Sequence, residues 1–276
     1  NDAFLGDSSP QEAAAAKIHK PGSGWHFRGR RILEATFEDL RRHSGLGSNA
    51  DQRVVYGGVG SGADGALVTL DDVAGVLVGK AKVRGLLDAP LAALIRPNRS
   101  GILPHGKQVL TQANVNWPRS TDCEASPSTA HRWKCVVPVE QLPVVHTPYF
   151  LANAQYDSMG VASGIFSVFL PGMELSPEQQ AFVERFRHDV LRYLPTPSAS
   201  SGVAVFAPAS YVHGMFSEDV FYNIEADGVT LQTALRRWLG DRGDPNAAPV
   251  DLRDGCEGFN CGWKTRQSAD AKSMTL

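Results

Sequence analysis

The stretch VVYGGVGSGADGALVTLDD, residues 54–72, decides how this chain is read. Val54, Val55 and Tyr56 form a short apolar run of the kind a buried strand shows. Glycines 57, 58, 60 and 62 then crowd a sharp turn, and from Ala63 to Lys80 the pattern reads as a helix. A strand that enters a helix through a tight turn is a building unit of α/β sheets. It presents its apex residue at the carboxyl end of the strand, where such sheets bind ligands. The central question is which residue stands at that apex.

Working outward, residues 1–24 are rich in Ala, Ser, Pro and Gly and read as loop, with a short helical turn at QEAAAAKIH. Ile32, Leu33, Phe37 and Leu40 recur at three- and four-residue steps and mark an amphipathic helix from Phe27 to Arg42. AKVRGLLDA, 81–89, follows the second helix as a strand. Residues 96–147 are rich in Pro, Asn, Ser and Thr and read as a long loop-like insertion. TPYFLANAQYD is expected to be a strand ending in Asp157. LSPEQQAFVERFRHDVLRYL carries a complete helix start: Ser176 at the N-cap, Pro177 at the first helical position and Gln179 where a capping box needs it. SGVAVFAPAS is a last strand with His213 just beyond it, and TLQTALRRWLG a last helix. Helices alternating with short apolar strands imply an α/β fold, with a mostly parallel sheet covered by helices on both faces. No internal repeat is visible, and residues 1–276 are expected to form one domain.

Composition narrows the function classes. The 276 residues are 42% hydrophobic, enough to bury a sizeable core. The 27 basic and 29 acidic residues form no long run of either sign, so a nucleic-acid-binding face has little support. No apolar stretch reaches the ~18 residues of a membrane span. The four cysteines fall into two local pairs, Cys123 with Cys135 and Cys256 with Cys261. Two disulfides in an oxidising compartment account for them. Zinc is the rival reading, although neither pair has C-x-x-C spacing and no His pair flanks them. The sequon at Asn98 fits a secreted, glycosylated chain. No signal peptide is legible from Asn1 onward.

Three positions stand at loop tips after expected strands: the Gly-rich turn, Asp157 and His213. Their chain order is that of the Ser–Asp–His triad in the α/β-hydrolase fold. In that chemistry the His takes the serine proton and the Asp orients the imidazole. Each residue alone has a plainer reading, Asp157 as a turn-former or helix cap and His213 as a structural histidine.

Several separate segments resemble the pectin acetylesterase / Notum carboxylesterase family. They are DAFLGD, HFRGRRILEATFEDL, AKVRGLLDA, NVNWPRSTDC with HRWKC, TPYFLANAQYDS and FAPASYVHG. The resemblance implies an α/β-hydrolase fold and a secreted, cell-wall or secretory-pathway carboxylesterase. Such an enzyme removes O-linked, acetyl-type acyl groups from carbohydrate or a related ester without metal or organic cofactor. It implies the catalytic aspartate at Asp157, the catalytic histidine at His213 and a disulfide between Cys123 and Cys135. The expected partner is an ester substrate and the expected state a monomer.

The chain departs from that family in its elbow, which reads G-x-S-A-G-G. Aligned without gaps, the matching residues are Gly58-Val59-Gly60-Ser61-Gly62-Ala63, so the nucleophile position falls on Gly60. Ser61 is the nucleophile only if the register shifts by one. In the ungapped register its backbone N–H would belong to the oxyanion hole instead. The family's Gly-Gly-Trp turn lies upstream of the segment resembling DAFLGD, where this chain begins, so the first strands of the sheet are expected to be missing. Two readings result: a carboxylesterase using His213, Asp157 and a turn serine, or a catalytically dead relative that binds an acylated or glycan ligand.

Overall fold

The computed structural model describes residues 28–91, 137–165, 174–198, 200–217, 219–240, 249–258 and 260–261. The expectations for Asn98, Cys123, Cys135 and the segments before residue 28 lie outside these residues. The chain divides into two compact units. One comprises Asn1–Tyr56, Asp64–Arg84 and Arg99–Thr147, the other Gly57–Ala63, Gly85–Asn98 and Pro148–Leu276.

In the first unit, helix α1 (Gly29–His43) carries three basic residues in its last turn, where they complement the helix dipole. Its Arg30 is buried and forms an ion pair with the equally buried Asp72 of helix α2 (Ser61–Val76). Phe37 packs edge-on against Tyr56, whose hydroxyl lies 2.9 Å from Thr69 Oγ1. Asp71 receives the Thr147 N–H at 2.8 Å and its hydroxyl at 2.7 Å. The insertion, read as loop to residue 147, ends in a short helix, α3 (Pro138–Gln141), started by its N-terminal proline.

The second unit is built on the sheet. Strands β1 (Arg53–Val59) and β2 (Lys82–Asp88) enter it with their carboxyl ends and are followed by β3 (Tyr149–Ala152), β4 (Ala204–Ala207) and β7 (Asp251–Arg253), in the order β1-β2-β3-β4-β7. The pairs β2–β3, β3–β4 and β4–β7 are parallel. Every residue of β3 (YFLA) and β4 (AVFA) is fully buried, so both faces of the sheet centre are covered, as a parallel sheet requires. One face packs Phe150, Ala152, Ala204 and Phe206 against Leu231 and Ala234 of helix α6 (Leu231–Leu239). That helix is capped by the Thr230 side chain and closed by Gly240 at φ +77°. Helix α4 (Ser158–Ile165) packs on helix α5 (Pro177–Tyr193), where Gly164 leaves no room for more than a hydrogen beside the Phe182 ring. The capping box of α5 is complete: Ser176 Oγ accepts from Gln179 N–H and Gln179 Oε1 from Ser176 N–H.

Several boundaries differ from the sequence reading. β1 runs on through Gly57 and Gly58, because a strand can continue through glycine where a neighbour presses close. A Cβ on Gly57 would meet the Leu86 carbonyl oxygen. Helix α2 starts at Ser61 and stops at Val76, before the left-handed Gly79. The strand expected to reach Asp157 stops at Ala152, and Asp157 instead begins α4, its side chain accepting from the N–H groups of Met159 and Gly160. β7 and the small antiparallel hairpin β5 (Glu225–Ala226) with β6 (Val229–Thr230) have no counterpart in the sequence reading, being too short to show a period.

Candidate active site

The elbow forms where β1 meets α2. Gly60 sits between them at φ +54°, a left-handed conformation that L side chains rarely adopt, and its N–H donates to the Asp88 carbonyl at 2.8 Å. Gly58 is required for the tight approach, since a Cβ there would lie 2.4 Å from the Gly62 carbonyl carbon. Ser61 opens the helix and is exposed.

Asp157 and His213 are brought together by a backbone ladder that outlasts the strands. Beyond β3 and β4 the N–H groups of Asn153, Gln155, Tyr156 and Ser158 donate in turn to the carbonyls of Phe206, Pro208, Ser210 and Tyr211. Tyr156 and Tyr211 pack with ring centroids 5.4 Å apart beneath this ladder. The result is a fully buried Asp157 whose Oδ2 lies 2.8 Å, and Oδ1 3.0 Å, from His213 Nδ1. Oδ1 also accepts from Met159 N–H at 3.0 Å and Gly160 N–H at 3.2 Å. Asp157 is therefore both the cap of α4 and the partner of His213, which joins two readings that were alternatives in the sequence.

With the carboxylate accepting at Nδ1, that nitrogen carries the proton and Nε2 of the neutral imidazole is a free base. Nε2 faces the elbow: a Cβ on Gly60 would stand 3.1 Å from it. The bond to Asp157 lifts the His213 pKa above its ordinary range. Burial opposes this, while the Asp157 and Asp88 charges add to it. The side chain remains about a quarter exposed (27%), so a ligand can reach it.

The sequence reading missed one group. Asp88, the last residue of β2, is completely buried, and burial pushes its carboxyl up to about 6. The N–H groups of Phe216 and Met215 and the nearby His213 pull the other way, while Asp157 raises it further. Its signal was present, because it ends the apolar strand of AKVRGLLDA as the other tips end theirs, but the turn–Asp–His order has no place for a second acid.

Cys256 and Cys261 are disulfide-bonded, with Cα atoms 6.0 Å apart, and the loop they close contains Glu257. The Glu257 carboxylate lies 3.5 Å from Arg187, which donates to Gln155 at 2.9 Å, two residues before Asp157. Ser210 is buried, and its hydroxyl accepts from Val212 N–H. Among the described residues no group of three His, Cys, Asp or Glu side chains could hold a metal ion.

The family model described as Pectinacetylesterase matches residues 2–261. The palmitoleoyl-protein carboxylesterase NOTUM of Drosophila melanogaster is 25% identical over 221 residues, 78% of this chain and 31% of the relative. Two Xenopus laevis palmitoleoyl-protein carboxylesterases, notum1' and notum1, are each 22% identical, over 87% and 90% of this chain and 51% and 52% of their own length. The chain thus spans about a third to a half of the length of these curated relatives. Two crystal forms of the Wnt deacylase Notum from Drosophila share the fold, with TM-scores of 0.71 and 0.74 and 22% identity. They cover 95% of this chain and 69% and 71% of the solved chains.

Proposed function

The chain belongs to the pectinacetylesterase family, and from that premise we propose that its site binds an acylated ligand, an O-acetylated carbohydrate or a related carboxylic ester, without forming an acyl-enzyme. The observation that carries this reading is Gly60 at the elbow apex, with the space of a missing side chain opposite His213 Nε2. Family and relatives share one chemistry, recognition and cleavage of an ester by a carboxylesterase fold. Asp157 and His213 hold the relation that this chemistry needs: a base, and a buried carboxylate that fixes its tautomer and orientation. The apex residue that faces the base, Gly60, carries no nucleophile.

In a member with a serine at the apex, Nε2 would take the hydroxyl proton as the oxygen attacked the acyl carbon, and would later return it to the leaving alcohol. With glycine there, Nε2 has only water to deprotonate. Attack by that water would release acid and alcohol in one step, without the covalent intermediate that divides the barrier. The site then holds its ligand far longer than it converts it. The disulfide of Cys256 and Cys261 supports a secreted protein, since such bonds persist in oxidising compartments.

One specific feature favours a second reading. Ser61 is exposed next to the apex, and turnover through its hydroxyl would make the chain a serine carboxylesterase. Calorimetric binding of an acetylated oligosaccharide, followed by mass analysis of the ligand after long incubation, separates the two. Binding with intact ligand supports the first reading. Stoichiometric acetate release abolished by Ser61→Ala would replace it with the second.

A further inference from the structure

We propose that Asp88 is the positioning residue of this site, holding the elbow apex with its main chain and the histidine loop with its side chain, so that one residue sets the gap between Gly60 and His213. Its carbonyl receives the Gly60 N–H at 2.8 Å. Its Oδ2 receives the Phe216 N–H at 2.9 Å, three residues beyond His213. Asp88 is wholly buried, and its second oxygen, Oδ1, has no hydrogen-bond partner. A bare buried carboxylate oxygen is unfavourable and uncommon in native folds, and it calls for an explanation other than stability. The next residue, Ala89, is held at φ +55°, a left-handed conformation unusual for alanine, and its N–H is bonded to the Ala152 carbonyl of β3. Strain and an unsatisfied acid at one strand end mark a place kept for geometry.

The inference concerns the same pocket as the ester-binding reading, but its test needs no ligand, so the two can fail separately. The charged groups that face His213 are Asp157, from the start of α4, and Asp88, from the end of β2. Those that face Asp88 are His213 and Asp157.

The test is nuclear magnetic resonance of the His213 Nδ1 proton, which the bond to Asp157 shields from exchange, in the native chain, Asp88→Ala and Asp88→Asn. Asp88→Ala removes the anchor of the loop. The expected result is a folded protein whose Nδ1 proton exchanges roughly tenfold faster or is lost, because the local opening that frees the imidazole is easier. Asp88→Asn keeps an oxygen for Phe216 N–H and should retain the protected proton while lowering the His213 pKa. An Asp88→Ala protein that merely melts earlier, with native Nδ1 exchange, makes Asp88 an ordinary core residue and overturns the proposal. Should Asp88→Ala not fold, Asp88→Asn decides. A retained proton with a lowered His213 pKa supports the assignment, and an unchanged titration overturns it.

Discussion

A side chain at Gly60 would point at His213: its Cβ would lie 3.1 Å from Nε2 and 3.5 Å from Cε1. No other feature of the site separates this chain so sharply from a hydrolase with the same base and acid. A serine oxygen carried on that Cβ would sit within reach of the base, after the imidazole yields by a few tenths of an ångström.

Gly60→Ser is therefore expected to raise hydrolysis of an activated acetyl ester by roughly a hundredfold or more over the native chain, since restoring a nucleophile recovers a large part of a triad's rate. The φ of +54° should lower stability by about 1 kcal/mol, the usual cost of a left-handed L residue. A folded Gly60→Ser protein no faster than its parent in a spectrophotometric assay would mean that the pocket lacks more than a nucleophile.

Asp157 has two roles that mutation can separate. In the Gly60→Ser background, Asp157→Asn should lower kcat by roughly 10²–10⁴, because the wrong imidazole tautomer is held. It should disturb the α4 cap little, asparagine being as good an N-cap as aspartate. Asp157→Ala should add about 1 kcal/mol of instability from the lost cap. Chemical denaturation beside the rate assay reads both. Equal rates for Asp157→Asn and its parent would remove Asp157 from the mechanism.

Stability should fall as pH rises. Asp88 titrates at about 6 in the fold against an ordinary 3.8, so the folded chain keeps this proton longer than the unfolded chain. Its contribution is most favourable below about pH 4, declines between about pH 4 and 6, and is gone above about 6. The span of about two units corresponds to at most about 3 kcal/mol. His213 is raised as well, so its contribution is whole below the ordinary 6.5 and is lost as pH climbs through the folded value. Urea midpoints across this range should slope downward, and Asp88→Asn should flatten the acid part of the slope. Parallel curves for native and variant proteins would contradict the assignment.

In the other unit, Arg30 and Asp72 are buried together, at 5% and 6% exposure. Asp72→Ala leaves a buried guanidinium with only Glu34, 2.8 Å away, and should cost about 3 kcal/mol. Replacing both residues by leucine should cost less, because no charge is stranded. Denaturant melts of the single and double variants decide this, and a double variant weaker than the single one would refute the desolvation argument.

Much of this molecule was legible in its sequence where the physics is local. Ser176, Pro177 and Gln179 announced the start of α5 because a capping box closes within one helical turn. Gly57 and Gly58 announced the elbow because only glycine survives such close backbone approach. Asp157 illustrates the limit of that kind of reading. The residue was visible as a strand-end acid, but its two hydrogen bonds to α4 make it a helix cap, and periodicity carries no sign of them.

By itself, then, the sequence determined the family resemblance, the α/β order of elements, the chain order of turn, Asp157 and His213, and the glycine at residue 60. The tertiary structure alone decided that Asp157 and His213 meet across 56 residues and that Asp88 reaches Phe216 across 128. It also decided that the side chain absent from Gly60 is the one that would have faced the base. The physical reason is range. Caps, turns and hydrophobic periods are set by neighbours within about four residues, whereas a site is set by where the parallel strands end once the sheet has packed.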